Sequence, residues 1–196
     1  MKILALSLAA LLPCLAAGPD TDPGRTLGDT TAPIVFELYS DFMCPACKHL
    51  HETVLPTIIQ EYVKTGKACL VFREFPLVAH PYSRPAAALA VAAARVGKYQ
   101  AVSDALFAAQ REWGATGKIW EVVAPVLTPE ERVKVQAMAK DPTIMAEVQR
   151  DVDRGGTAMV KQTPTLMVTH GLRQQPWTQF ADLSLFRGYI DALLKK

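Results

Sequence analysis

The residue pattern predicts an α/β fold whose elements run β-α-β, then several helices, then β-β-α. Three observations carry this. Two short strand-like runs flank an amphipathic helical stretch near the amino end. The middle of the chain is punctuated throughout by helix starts and stops. The carboxyl end holds a strand, a turn, a second strand and a final amphipathic helix.

Ile34-Val35-Phe36-Glu37-Leu38-Tyr39 has strong strand preference. Ser40-Asp41-Phe42-Met43 forms a brief connection, and Cys44 opens a helix with Pro45 at its first position, where the missing N–H costs nothing. Cys47, Leu50, Val54, Ile58 and Tyr62 then fall on one stripe. Pro56 lies inside this pattern and predicts a kink, and Gly66 predicts the stop. A second strand is predicted over residues 68–74 and a helical region over residues 83–154. Within it, Thr128-Pro129-Glu130-Glu131 reads as a capping-box start, and Asp141-Pro142 begins another helix that Gly155-Gly156 is expected to end. Strands are predicted over 165–169 and 172–177, joined by a turn at His170-Gly171. A last helix is predicted over 182–194, with Leu183, Phe186, Ile190 and Leu193 facing inward. Residues 19–32, rich in Gly, Pro, Asp and Thr, read as an irregular lead-in.

With 196 residues, 50% hydrophobic and 20% charged, the chain can bury a substantial core. Its formal charge of +2 gives no footprint for nucleic acid, and none is expected as a partner. Residues 1–18 read as a cleaved secretory signal: Lys2, an apolar run too short for a membrane span, then Ala16-Ala17-Gly18 for cleavage. A lipoprotein is disfavoured because Pro13 directly precedes Cys14. Removing the signal takes Lys2 and Cys14, leaving a charge of +1 and three of the four cysteines: Cys44, Cys47 and Cys69. Export implies an oxidising compartment, so a close pair plus one isolated cysteine reads as a redox pair with a bystander.

The Cys44-Pro45-Ala46-Cys47 motif sits at the start of a predicted helix, directly after a strand. Unpaired N–H groups and the positive end of the helix dipole meet there. The sulfur of Cys44, placed where a capping side chain would be, is expected to accept the Cys47 N–H and to be acidified below the ordinary thiol value of about 8.5. Cys47, one turn inside, is expected to be shielded. Cys44 is therefore the candidate nucleophile and Cys47 the resolving thiol of a redox-active disulfide, with Pro45 and Ala46 as tuning positions. A zinc site would need further ligands. His49 and His51 are nearby, but Cys44, Cys47 and His51 lie along one stripe, and no metal is expected. A merely structural bridge closing so short a loop would stabilise little.

Tyr39-Ser40-Asp41-Phe42-Met43-Cys44-Pro45-Ala46-Cys47, with Arg73-Glu74-Phe75-Pro76-Leu77 and Thr163-Pro164-Thr165, resembles the DsbA-like branch of the thioredoxin-fold oxidoreductases over about residues 30–196. The resemblance implies a thioredoxin fold with a helical domain, about residues 80–156, inserted between the second and third core strands. It also implies a cis Pro164 beside the cysteines, with the Thr163 backbone open to an extended substrate segment. No bound cofactor is implied. Implied partners are reduced or unfolded exported proteins and a membrane thiol oxidase, in a bacterial periplasm or cell envelope. A monomer is favoured because no dimerisation segment precedes the first strand.

One departure stands out. Such enzymes often carry a buried acid six residues before the first cysteine; here that position is Leu38. Glu37 is adjacent, but strand alternation turns it to the other face. Either the local register is shifted, or proton transfer runs through water or another group. Cys69 reads as a buried small hydrophobe, and His80 as a loop residue or part of a substrate groove. His49 lies near enough to the helix start to influence Cys44 as a cation. Phe42 and Met43 read either as an apolar rim for substrates or as packing. The sequence predicts a dithiol oxidase. A reductase or isomerase using the same site, and a non-catalytic metal-binding or chaperone module, are the alternatives.

Overall fold

The computed structural model describes residues 21–195; the predicted signal at residues 1–18 lies outside them. A five-stranded sheet has the order β1-β3-β2-β4-β5. Its strands are β1 (Thr26–Leu27), β2 (Ile34–Ser40), β3 (Ala68–Glu74), β4 (Thr165–His170) and β5 (Arg173–Trp177). β2 and β3 are parallel, while β1 on β3, β4 on β2 and β5 on β4 are antiparallel.

The parallel pair needs a crossover, and residues 45–63 supply it: α1 (Pro45–His49), a π-helical stretch Leu50–Val54, α2 (Leu55–Ile58) and a second π-helical stretch Ile59–Val63. The predicted kink at Pro56 takes this form. The Leu55 N–H reaches back five residues to the Leu50 carbonyl, widening the turn ahead of the proline ring. All five residues of the predicted stripe are buried. Gly66, at a φ of +72°, turns the chain out of the helix. Phe36 packs edge-on to Tyr62 and against Phe186 of α9 (Ser184–Leu194), so the first strand, first helix and last helix share one core.

Between β3 and β4 lie α3 (Ser83–Ala94), α4 (Tyr99–Ala108), α5 (Gln110–Thr116), α6 (Ile119–Val123), α7 (Pro129–Met138) and α8 (Pro142–Thr157). The alanine-rich α3 buries nine of its twelve residues, as close helix packing requires. The capping box at Thr128 and Glu131 is formed on both sides, and Asp141 caps α8.

Three expectations are corrected. Residues 26–27, read as irregular, pair with Val71 and Leu70 along the edge of β3. Two residues carry too little pattern to register as a strand. Gly155-Gly156 does not end α8, which runs on to Thr157. Gly155 instead lets the helix lie against Phe75, whose ring stands 2.5 Å from where a Cβ would be. Leu172 belongs to the turn, since Gly171 takes a φ of +57° and β5 starts at Arg173.

Candidate active site

The site is built at the end of β2. Strand alternation sends Leu38 and Ser40 to the face covered by the first helix, and Glu37 and Tyr39 to the opposite face. Leu38 is buried in the same core as Cys44 and Cys47. After Ser40 the chain turns through Asp41, whose carbonyl accepts the Cys44 N–H at 3.1 Å. The Asp41 carboxylate is buried and loaded with donors: the N–H groups of Met43 at 2.7 Å and Leu77 at 2.8 Å, and the Ser83 hydroxyl. His80 Nδ1 lies 2.8 Å from the same carboxylate. Asp41 thus pins the reactive loop to the segment linking β3 and α3. From the helical layer, the buried Gln110 amide donates to the carbonyls of Phe42 at 2.7 Å and Cys44 at 3.0 Å.

Cys44 occupies the position before the first helical turn, in an extended conformation, and Pro45 and Ala46 are exposed beside it. Its thiol lies 3.4 Å from the Thr163 carbonyl, and the Thr163–Pro164 peptide bond is cis. The Cys44 pKa is lowered to about 5. The largest cause is a hydrogen bond with the Cys47 side chain. Burial opposes it, and Thr163 and the N–H groups of Cys47 and Ala46 add to it. The cap geometry differs from the expected one. The Cys47 N–H bonds to the Cys44 carbonyl at 3.1 Å and meets the Cys44 sulfur too loosely to form a capping hydrogen bond, so the N–H groups are a minor contribution. The acidity comes chiefly from the second cysteine.

Cys47 is buried, 1% exposed, and its pKa is driven far upward. Burial is the main cause, followed by the hydrogen bond to Cys44 and the Cys44 charge. The Ser40 hydroxyl and the Asp41 N–H, 3.5 Å from the sulfur, pull the other way. The pair therefore holds a single proton on the buried sulfur, leaving the outer one as thiolate at neutral pH.

The remaining candidates scatter. Glu37 is not beside the cysteines; it is buried in a network with Arg73 at 2.8 Å and Arg154 at 2.7 Å on the opposite face of the sheet. Arg73 continues to Asp151, which also pairs with Arg25. Cys69 is fully buried on that same face, with its thiol pKa raised by burial. His49 is exposed, and its ring lies 3.5 Å from the Thr53 hydroxyl. Phe42 is buried against the Phe107 ring at 5.0 Å, and Met43 takes the Tyr82 N–H on its sulfur, so both pack. His80 belongs to the Asp41 cluster. Among the described residues, no three His, Cys, Asp or Glu side chains converge as metal ligands.

A family profile described as thioredoxin matches residues 20–184. The chain belongs to the thioredoxin family. It is 28% identical over 180 residues to a probable disulfide bond formation protein D of Bacillus anthracis, covering 88% of this chain and 79% of that one. Among solved structures it is similar to DsbA2 of Pseudomonas aeruginosa, with a TM-score of 0.70 at 25% identity over 88% of this chain and 95% of the other. Oxidised BdbD of Bacillus subtilis has the same fold, with a TM-score of 0.70 at 22% identity over 88% and 94%. This thioredoxin-family chain is a DsbA-like protein thiol–disulfide oxidoreductase.

Sequence reasoning missed Gln110, the anchoring role of Asp41 and the Ser40 contact. An acid in the turn directly before a reactive cysteine was a usable signal for Asp41. Gln110 carries no local signal at all.

Proposed function

We propose that the chain is an exported dithiol oxidase, passing a Cys44–Cys47 disulfide to reduced substrate proteins in a periplasm or cell envelope. The observation that carries this reading is the unequal setting of the pair: Cys44 stands at the helix start against the Thr163 carbonyl, while Cys47 is 1% exposed one turn inside. A Cys44 pKa near 5 stabilises the reduced form at neutral pH and so makes the disulfide a strong oxidant. In the oxidising step a substrate thiolate attacks the Cys44 sulfur, and the electrons of the S–S bond leave with Cys47. A second substrate thiolate then displaces Cys44 as its stabilised thiolate. Cys44 is the nucleophile in the reverse step and Cys47 the resolving thiol. The Thr163 backbone, beside Cys44, is suited to align an extended substrate segment ahead of Pro164.

Residues 1–18 support export as a cleaved signal, with residues 19–196 as the working domain and about 80–156 as its helical insertion. Among the described residues, no helix is long and apolar enough to cross a membrane. A membrane thiol oxidase would restore the disulfide.

The test is the redox equilibrium of Cys44–Cys47 against glutathione, with thiolate absorbance followed across pH. The expected potential is near −120 mV and the expected Cys44 midpoint lies between pH 4 and 6. A potential near −270 mV assigns the site to reduction instead, and a midpoint above about 8 overturns the account of Cys44.

A further inference from the structure

Leu38 leaves the helix-bearing face of β2 without the acid that would exchange a proton with Cys47, yet that face is not without one. β2 and β3 run parallel in register, pairing Leu38 with Phe72 and Ser40 with Glu74. Paired residues of neighbouring strands project to the same face. Glu74 therefore stands one strand over from Ser40, on the side that carries the reactive helix, while Arg73 and Glu37 project to the other. Ser40 is the residue whose hydroxyl bonds to Cys47.

Glu74 is 2% exposed and has no direct part in the chemistry described above. Its carboxylate accepts the Tyr99 hydroxyl of α4 at 2.7 Å. The charged groups facing it are Arg25 before β1, Asp151 of α8 and Asp41 at the head of the reactive loop. Arg25 is shared with Asp151, so its charge is not given to Glu74 alone. Burial is the main reason that the Glu74 pKa is raised to about 8, with Asp151 and Asp41 adding to it and Arg25 and Tyr99 opposing. At neutral pH this carboxyl holds its proton.

We propose that Glu74 is the internal acid of this enzyme, exchanging a proton with Cys47 through the Ser40 hydroxyl. The inference rests on the thiol–disulfide exchange reading. When a substrate thiolate attacks Cys44, the Cys44–Cys47 bond breaks and its electron pair leaves on Cys47. Ser40 passes its hydroxyl proton to that sulfur and takes the Glu74 proton in return. When the disulfide is re-formed, the Cys47 proton travels back along the same path. Glu74 touches neither sulfur; it is a positioning residue for the proton, and the acid function has moved from β2 to β3.

The test follows oxidation of a reduced dithiol peptide by stopped-flow, from pH 6 to 10, with rates corrected for peptide thiolate. The wild type is expected to lose rate through an inflection near pH 8. Glu74→Gln keeps an acceptor for Tyr99 but not the titrating group; it is expected to lose that inflection and to fall roughly 10-fold or more at pH 7. Ser40→Ala is expected to behave alike, Glu74→Asp to recover the inflection, and Tyr99→Phe, lacking the hydroxyl that favours the carboxylate, to move it to higher pH. The Tyr99→Phe shift keeps the proposal testable if Glu74→Gln does not fold. A folded Glu74→Gln enzyme with the wild-type pH profile overturns the proposal, as does a Tyr99→Phe enzyme whose inflection stays in place. A wild-type enzyme that exchanges thiols but does not oxidise the peptide would instead sink the oxidase reading; the same pH series is then read in the reducing direction.

Discussion

The two faces of the sheet handle charge in opposite ways. On one face Glu37, Arg73 and Arg154 are buried or half-buried in a standing ionic network, which continues through Asp151 to Arg25 beside the edge strand β1. On the other, charge at the cysteines is created and destroyed in each cycle, and the surroundings offer hydrogen bonds rather than counter-ions: the Cys47 thiol, Thr163, Ser40 and the N–H groups at the helix start. A permanent countercharge beside Cys44 would bind the thiolate but would stay behind as an unpaired ion when the disulfide forms. Hydrogen-bond donors that are nearly neutral avoid that cost. The structural network can be ionic because it never changes state; the reactive pair cannot.

The largest expected effect is Cys44→Ser, which should abolish disulfide transfer to a reduced peptide; at pH 5, where the thiolate contributes little stability, its thermal midpoint should lie near that of the reduced wild type. Substantial turnover by that variant would break the contrast at its reactive end. Next is Arg73→Met, which strands the buried Glu37 carboxylate from one of its partners. A loss of about 3–5 kcal/mol in denaturant unfolding is expected, with the Cys44 titration unmoved. A Cys44 midpoint that shifts with it would mean that the two faces are electrically one. Gln110→Leu removes the side-chain donor to the Phe42 carbonyl and one of the donors to the Cys44 carbonyl, and a loss of about 1–3 kcal/mol is expected, measured the same way.

A smaller, graded effect concerns pH. The folded-state pKa of Cys44 lies below its unfolded value, so the reduced protein gains stability that is full above about pH 9 and lost as pH falls through about 5. Within that window the unfolding free energy of reduced protein, relative to oxidised, should rise by up to about 1.4 kcal/mol per pH unit. Denaturant titrations of both redox forms at pH 5, 6, 7 and 8 would show it, and a flat difference would refute the acidity of Cys44. Smallest is Thr163→Val. Removing its hydroxyl should raise the Cys44 midpoint by less than about one unit, read by thiolate absorbance.

Local pattern made the chemistry legible. Strand preference in residues 34–39, Pro45 at a helix start and the spacing of two cysteines are all written within fourteen residues of one another. The same holds for the capping box at Thr128 and the inward stripe of the last helix. What the sequence hid are pairings between distant residues. Gln110 meets Cys44 across 66 positions, and Glu37 meets Arg154 across 117. Gly155-Gly156 shows the same limit: read locally it is a helix stop, but Phe75, 80 residues away in sequence, makes it a packing site. The missing acid at Leu38 was readable, but the placing of Glu74 beside Ser40 was not, because register between β2 and β3 exists only once the sheet is formed.

The Gln110 amide has a consequence for how the motif could be moved or mimicked. It grips the reactive loop from a helix outside the strand–helix unit, bonding the Phe42 carbonyl and adding a third donor to the Cys44 carbonyl, which already accepts from Cys47 and Lys48. A peptide carrying residues 39–47, or those residues grafted onto another strand–helix scaffold, would reproduce every letter of the motif and lack the hand that holds it. Its reactive loop would be held only by the bonds within the unit itself. The helical layer is in this sense part of the reactive loop's scaffold: moving the loop intact means moving the helix that carries Gln110 with it.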